Sequence, residues 1–210
     1  MQEIITVAAP AQAEFIEKKS RFIGYIAPAA DEAAAQQFLQ EIRRRHHDAT
    51  HNCYAYQLGE HNRLQRSSDD GEPSGTAGRP ILEVLKGSGL SDVIVVVTRY
   101  FGGVLLGTGG LVRAYSAAAR AAIEQAERVQ LVKAASFALT VEYPLWQRLE
   151  GWLGAQGFAV EDTRFTDKVD VRFLTPADGA DNLEQELTEL LNSPPALMLL
   201  DAQAVMRRKI

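Results

Sequence analysis

Apolar and polar positions alternate in two different rhythms along this chain, and the change of rhythm divides it. Arg21–Ala27 (RFIGYIA) is an apolar run of strand length. Asp31 then stands where an N-cap belongs. Ala34, Ala35, Phe38, Leu39 and Ile42 follow at the spacing of one helix face, which predicts a helix through about His46. Asn52–Leu58 reads as an aromatic-rich strand, and Arg63–Pro80 as turn chemistry crowded with Asp, Gly, Ser and Pro. Ile81–Lys86 predicts a short helix and Val93–Arg99 a buried strand. After the loop FGGVLLGTGG, small apolar residues at helical spacing from Leu111 to about Glu127 predict a helix suited to close packing on a sheet.

The second half is more regular. Phe137–Glu142 predicts a strand, and Pro144 opens a helix to about Gln156. Phe158–Thr163 and Val169–Leu174 predict two strands, Asp181–Leu191 a helix and Ala196–Ala202 a last strand. That order, β-α-β-β-α-β, is ferredoxin-like. The fold class is therefore α+β, with domains at 1–133 and 134–210.

Composition narrows the function classes. The 210 residues are 46% hydrophobic and 23% charged, which suits a packed globular core. No apolar run reaches membrane-spanning length, and the first residues lack the basic and apolar regions of a secretory signal. With Cys53 as the single cysteine, a reducing compartment is expected, hence a cytoplasmic location. Net charge is −5; residues 1–133 carry 15 basic and 15 acidic side chains, residues 134–210 carry 7 and 12. Neither half has the global basic excess of a dedicated DNA binder, so any nucleic-acid contact must use a local patch.

One such patch centres on the second Gly-rich segment. Gly102, Gly103, Gly107, Thr108, Gly109 and Gly110 lie between a buried strand and a helix, where bare N–H groups and the helix dipole attract phosphate. Arg99, Arg113 and Arg120 add positive charge. The glycines also serve close backbone packing without any ligand. The spacing matches neither the P-loop nor the dinucleotide fingerprint, and no cofactor is expected. The segment Ser67–Gly78 contributes Asp69, Asp70, Glu72, Ser74 and Thr76 as loop candidates. They do not follow a calcium-loop spacing, and side chains bonding their own backbone explain them better than a metal site. His51 and Cys53 share a strand face with Asp48 nearby, but a lone cysteine in an apolar strand is more often core than nucleophile. His46, His47 and the run Arg43–Arg45 read as a solvated, cationic helix C-terminus; the alternative is a phosphate-facing patch of the same run with Lys18, Lys19 and Arg21, if the fold brings them together. No catalytic residue and no metal ligand are assigned.

KKSRFIGY (Lys18–Tyr25), THNCYAYQL (Thr50–Leu58), SDDGEPSGTAGRPIL (Ser68–Leu82) and VTRYFGGVLLGTGGLVRAYSAA (Val97–Ala118) resemble the IMPACT/YigZ family. A departure is Leu105, where many relatives carry Lys. The resemblance implies an N-terminal fold like the second domain of small-subunit ribosomal protein five, followed by a ferredoxin-like domain. That pairing is similar to domains IV and V of elongation factor G. Eukaryotic IMPACT proteins are linked to translational control through an activator of an initiation-factor kinase. Their additional domain differs, so that partner is not carried over.

Three functions compete. The first is a non-enzymatic, translation-associated regulatory protein binding RNA, the ribosome or a translation factor. The second is an enzyme or binder acting on a phosphorylated small molecule through the Gly-rich loop. The third is an interaction module docking through the acidic C-terminal domain, where Glu184, Glu186 and Glu189 also read as a plain solvated face. Expectation favours the first, with no membrane partner.

Overall fold

The computed structural model describes residues 4–180 and 182–209. They form two compact units, one running to Gln130 and one from Leu131 to Arg208. In the first unit, β1 (Ile4–Val7) and β2 (Ala11–Glu17) precede β3 (Ser20–Pro28), α1 (Glu32–Arg45), β4 (His51–Leu58) and β5 (Leu64–Ser68). Then come α2 (Gly78–Gly87), β6 (Val93–Tyr100) and α3 (Gly107–Gln125). The sheet order is β2-β3-β6-β4-β5, and every pair in it is antiparallel.

The sheet is buried on both faces, which explains the unbroken apolar run of β6: Val93, Val95 and Val97 face one side, Ile94 and Val96 the other. Ile26, Ile81, Leu85, Tyr115, Ala118 and Ala122 share the first core, so α2 and α3 cover that face. Ala35, Leu39 and Ile42 of α1 cover the second. The expected cap is present: Asp31 accepts from the Ala34 N–H at 2.8 Å.

Several expectations need correction. β2 and β5 are edge strands with largely exposed or half-buried residues, so neither carries an apolar run that marks it. α3 begins at Gly107, four residues early. Glycine's poor helix propensity argues for loop, but packing of the rest of α3 carries the helix through it. Gly107 itself opens that helix at φ +71, a conformation costly for any residue with a side chain.

The second unit uses β7 (Arg128–Val141), α4 (Tyr143–Ala155), β8 (Ala159–Phe165), β9 (Val169–Pro176), α5 (Leu183–Leu191) and β10 (Met198–Lys209). β7 is longer than the expected Phe137–Glu142 because it begins in the first unit. Strand order β10-β7-β9-β8 completes the β-α-β-β-α-β arrangement. Phe137, Leu139, Val171 and Phe173 pack under Leu149, Leu153, Leu183 and Leu187. Asp181, expected to open α5, lies outside the described residues. Glu184 and Glu186 stand exposed in the first turn of α5, where the dipole favours anions.

Candidate functional site

The acidic loop after β5 is held inward by its own side chains. Asp69 accepts from the backbone N–H groups of Gly75, Ala77 and Gly78 at 2.8–2.9 Å, capping the start of α2. Burial opposes its ionisation, but those three donors outweigh burial and hold the carboxyl below its ordinary value. Asp70 accepts from the Asn52 N–H at 2.8 Å and pairs with Arg43 at 2.7 Å. Thr76 donates to the Pro73 carbonyl. Ser74 is exposed.

Glu72 goes deeper. Arg99 lies 2.6 Å from one of its oxygens and Tyr115 donates to the same oxygen at 2.6 Å. Both partners of the ion pair are buried, with side chains 7% and 3% exposed. Arg99, expected beside the Gly-rich loop as an anion binder, instead spends its charge on Glu72 and stacks on Phe22 and Phe101. Its Nε is buried without an acceptor. The reason was present in the sequence: an arginine that continues the buried run Val93–Thr98 requires a buried counter-charge.

Cys53 belongs to this cluster as core. Its thiol donates to the Asp69 carbonyl at 2.9 Å, and burial pushes it far up, away from thiolate. His51 turns its Nδ1 to the Asp70 carbonyl at 2.8 Å. His46 is the half-buried C-cap of α1, with both ring nitrogens taken up by tyrosines. Tyr100 donates to Asp48, so its oxygen accepts from His46 Nδ1, while Tyr25 donates to Nε2 at 2.7 Å. That pattern needs a neutral ring, and burial followed by the charges of Arg45 and Arg21 lowers its pKa against the opposing pull of Asp48. The first unit therefore gains stability above pH 6.5 that is lost as pH falls below it. Thermal melts at pH 7.5 and pH 5 should show a larger drop for the wild type than for His46→Gln.

The surface candidates lie elsewhere. β2 and β3 are joined by Lys18 and Lys19 alone, both left-handed at φ 45 and 67. A two-residue hairpin turn of this hand normally uses Asn and Gly, so this pair stores strain. Gly102 fits against it: a Cβ there would come within 2.0 Å of the Lys19 backbone. Gly102, Gly103, Gly107, Thr108, Gly109 and Gly110 thus run from the lysine turn into the start of α3, which has no side-chain cap. Arg113 extends back over Gly109. Lys18, Arg113, Leu106 and Gly110 line one depression of about 260 Å³, with Glu17 as its one carboxylate. Exposed Phe101, Val104 and Leu105 border the same loop. Arg120 is not part of this group; it lies in the cleft between α2 and α3.

Fold and surface together define a two-unit α+β protein whose first unit presents a basic, uncapped helix start. Residues 18–123 match the Impact N-terminal domain and residues 139–193 a domain of unknown function, DUF1949. The chain is 36% identical to the IMPACT family member YvyE of Bacillus subtilis over 91% of this chain and 88% of that protein. It is 34% identical to YigZ of Escherichia coli over 96% and 100%. A crystal structure described as a hypothetical protein matches with TM-score 0.63 and 34% identity over 96% of this chain and 98% of that one. The chain belongs to the IMPACT family. Among the described residues, no helix is long and apolar enough to cross a membrane.

Proposed function

We propose that this protein is a non-enzymatic, cytoplasmic, translation-associated regulator that binds RNA through the Lys18–Lys19 turn, the Phe101–Leu106 loop and the first turn of α3. The observation that carries the reading is the convergence of Lys18 and Arg113 on a helix start with no cap of its own. Among the described residues neither has an ion-pair partner. Free N–H groups and the dipole suit a phosphate there, and the exposed ring of Phe101 offers a face for a base. Ribosomal RNA is the partner to test first, because the domain pairing is similar to domains IV and V of elongation factor G.

Co-sedimentation with purified ribosomes across a salt series tests this. Wild-type binding should fall steeply with salt. Lys18→Glu/Arg113→Glu, folded by circular dichroism, should bind at least about tenfold more weakly, with a salt slope shallower by roughly 0.7 per lost phosphate contact. Unchanged binding by the variant, or no wild-type binding at low salt, overturns the reading and turns attention to phosphorylated small molecules at the same helix start.

A further inference from the structure

We propose that the cleft between α2 and α3 binds a small organic anion carrying a carboxylate or phosphate on an apolar body. The cleft encloses about 730 Å³, inside the roughly 300–1,000 Å³ common for small-molecule sites. Pro80 and Val84 of α2 and Val112 and Ile123 of α3 give it an apolar lining. Arg79, Arg120 and Arg128 line it as well.

Five other arginines in the same unit are spent on partners, whereas, among the described residues, Arg44, Arg113 and the cleft arginines have no carboxylate at ion-pair distance. Arg21, Arg43, Arg45, Arg66 and Arg99 each have a carboxylate within ion-pair distance. Among the described residues Arg79 and Arg120 have none, and neither makes a side-chain hydrogen bond. Arg128 reaches only the Ser88 carbonyl, at 3.4 Å. Two carboxylates also line the cleft. Glu83 is held by Lys86 at 3.3 Å, which leaves Glu124 against three guanidinium groups. The uncompensated charge is therefore positive.

A guanidinium takes a carboxylate or phosphate through a planar fork of donors. The apolar lining rewards a body that an inorganic ion lacks. The α2 N-terminus is not the attraction, because Asp69 already occupies the N–H groups of Ala77 and Gly78. No residue lining this cleft lines the depression at Lys18 and Arg113, so the site stands apart from the proposed RNA surface.

Amide-resolved NMR titration of the full chain tests the proposal with 1-naphthoate, octanoate and adenosine 5′-monophosphate as probes. Inorganic phosphate and 1-naphthalenemethanol serve as charge-only and body-only controls. At least one probe should give saturable shifts centred on α2 and α3, with either control at least about tenfold weaker. Arg79→Ala/Arg120→Ala exchanges two exposed side chains and should fold normally; it should weaken the probe about tenfold or more. Arg113→Glu should leave it unchanged. Absence of saturable shifts with all three probes overturns the site. So does equal binding by inorganic phosphate, or wild-type affinity in the folded double variant.

Discussion

Glu72→Ala is expected to destabilise the first unit by about 3–5 kcal/mol, because it leaves the Arg99 guanidinium buried with no counter-charge. Arg99 already has one nitrogen without an acceptor, so the strand has no spare polar group to offer. Tyr115 would lose its acceptor at the same time. For a unit of this size the melting temperature should fall by roughly 10–20 °C. Far-UV circular dichroism will follow that transition. Trp146 and Trp152 both lie in the second unit, so tryptophan fluorescence reports that unit separately and should barely move. Glu72→Gln keeps the shape and one acceptor and should fall between the two. Glu72→Met/Arg99→Met removes both charges and should recover most of the loss, because paired burial of charge contributes little net stability. A shift of only a degree or two in Glu72→Ala would mean that water reaches Arg99 and the cluster is not a closed one.

The same cluster shows where sequence reading stops. α1, β6 and the second unit were legible because each is decided locally, by a cap, by a continuous apolar run or by a helix between strands. Glu72 looked like one of three carboxylates in a turn, since its partners lie 27 and 43 residues away. Its pairing depends on β6 and α3 meeting the loop in space, which no periodicity reports. Arg99 was the one local clue, a charge inside VIVVVTRY, and it pointed inward rather than to the Gly-rich loop. Arg113 stayed where the spacing put it. Arg120, two turns further along α3, fell on a different part of the surface. Lys18 and Lys19 were legible as cations but not as a turn, because Lys-Lys does not announce a left-handed hairpin.

Charge matching also separates architecture from surface in this unit. Residues that fix the acidic loop are paired: Arg43 with Asp70, Arg99 with Glu72, Asp69 with three N–H groups. Such groups hold the loop and offer little to a ligand. Among the described residues, the cations without a carboxylate partner include Lys18 and Arg113 at one place and Arg79, Arg120 and Arg128 at another, and these have charge to offer. This division is why the acidic motif, the second signal in the sequence after the Gly-rich segment, serves better as support than as a binding site.

Gly24→Ala is the second large effect expected, at about 3 kcal/mol, the upper end of ordinary overpacking. Gly24 sits inside β3, paired with Ala13 on one side and Val97 on the other. A Cβ there would lie 2.3 Å from the Ala118 carbonyl oxygen and 3.1 Å from the Ala122 Cβ. The first contact is with helix backbone, so no rotamer change relieves it, and α3 must move out by about an ångström. That movement would carry Tyr115 away from Glu72 and loosen the buried cluster as well. Ala122→Gly should not rescue the variant, because the worse contact is with the carbonyl at 118. Gly151→Ala provides the control: it lies within α4 with nothing inside 4 Å of its Cβ. There the same exchange should stabilise by about 0.5–1 kcal/mol through helix propensity alone. Urea unfolding of both variants should therefore move in opposite directions. If Gly24→Ala instead matched Gly151→Ala, close approach of α3 would not be what requires glycine in β3, and the Ala-rich face of that helix would need another cause.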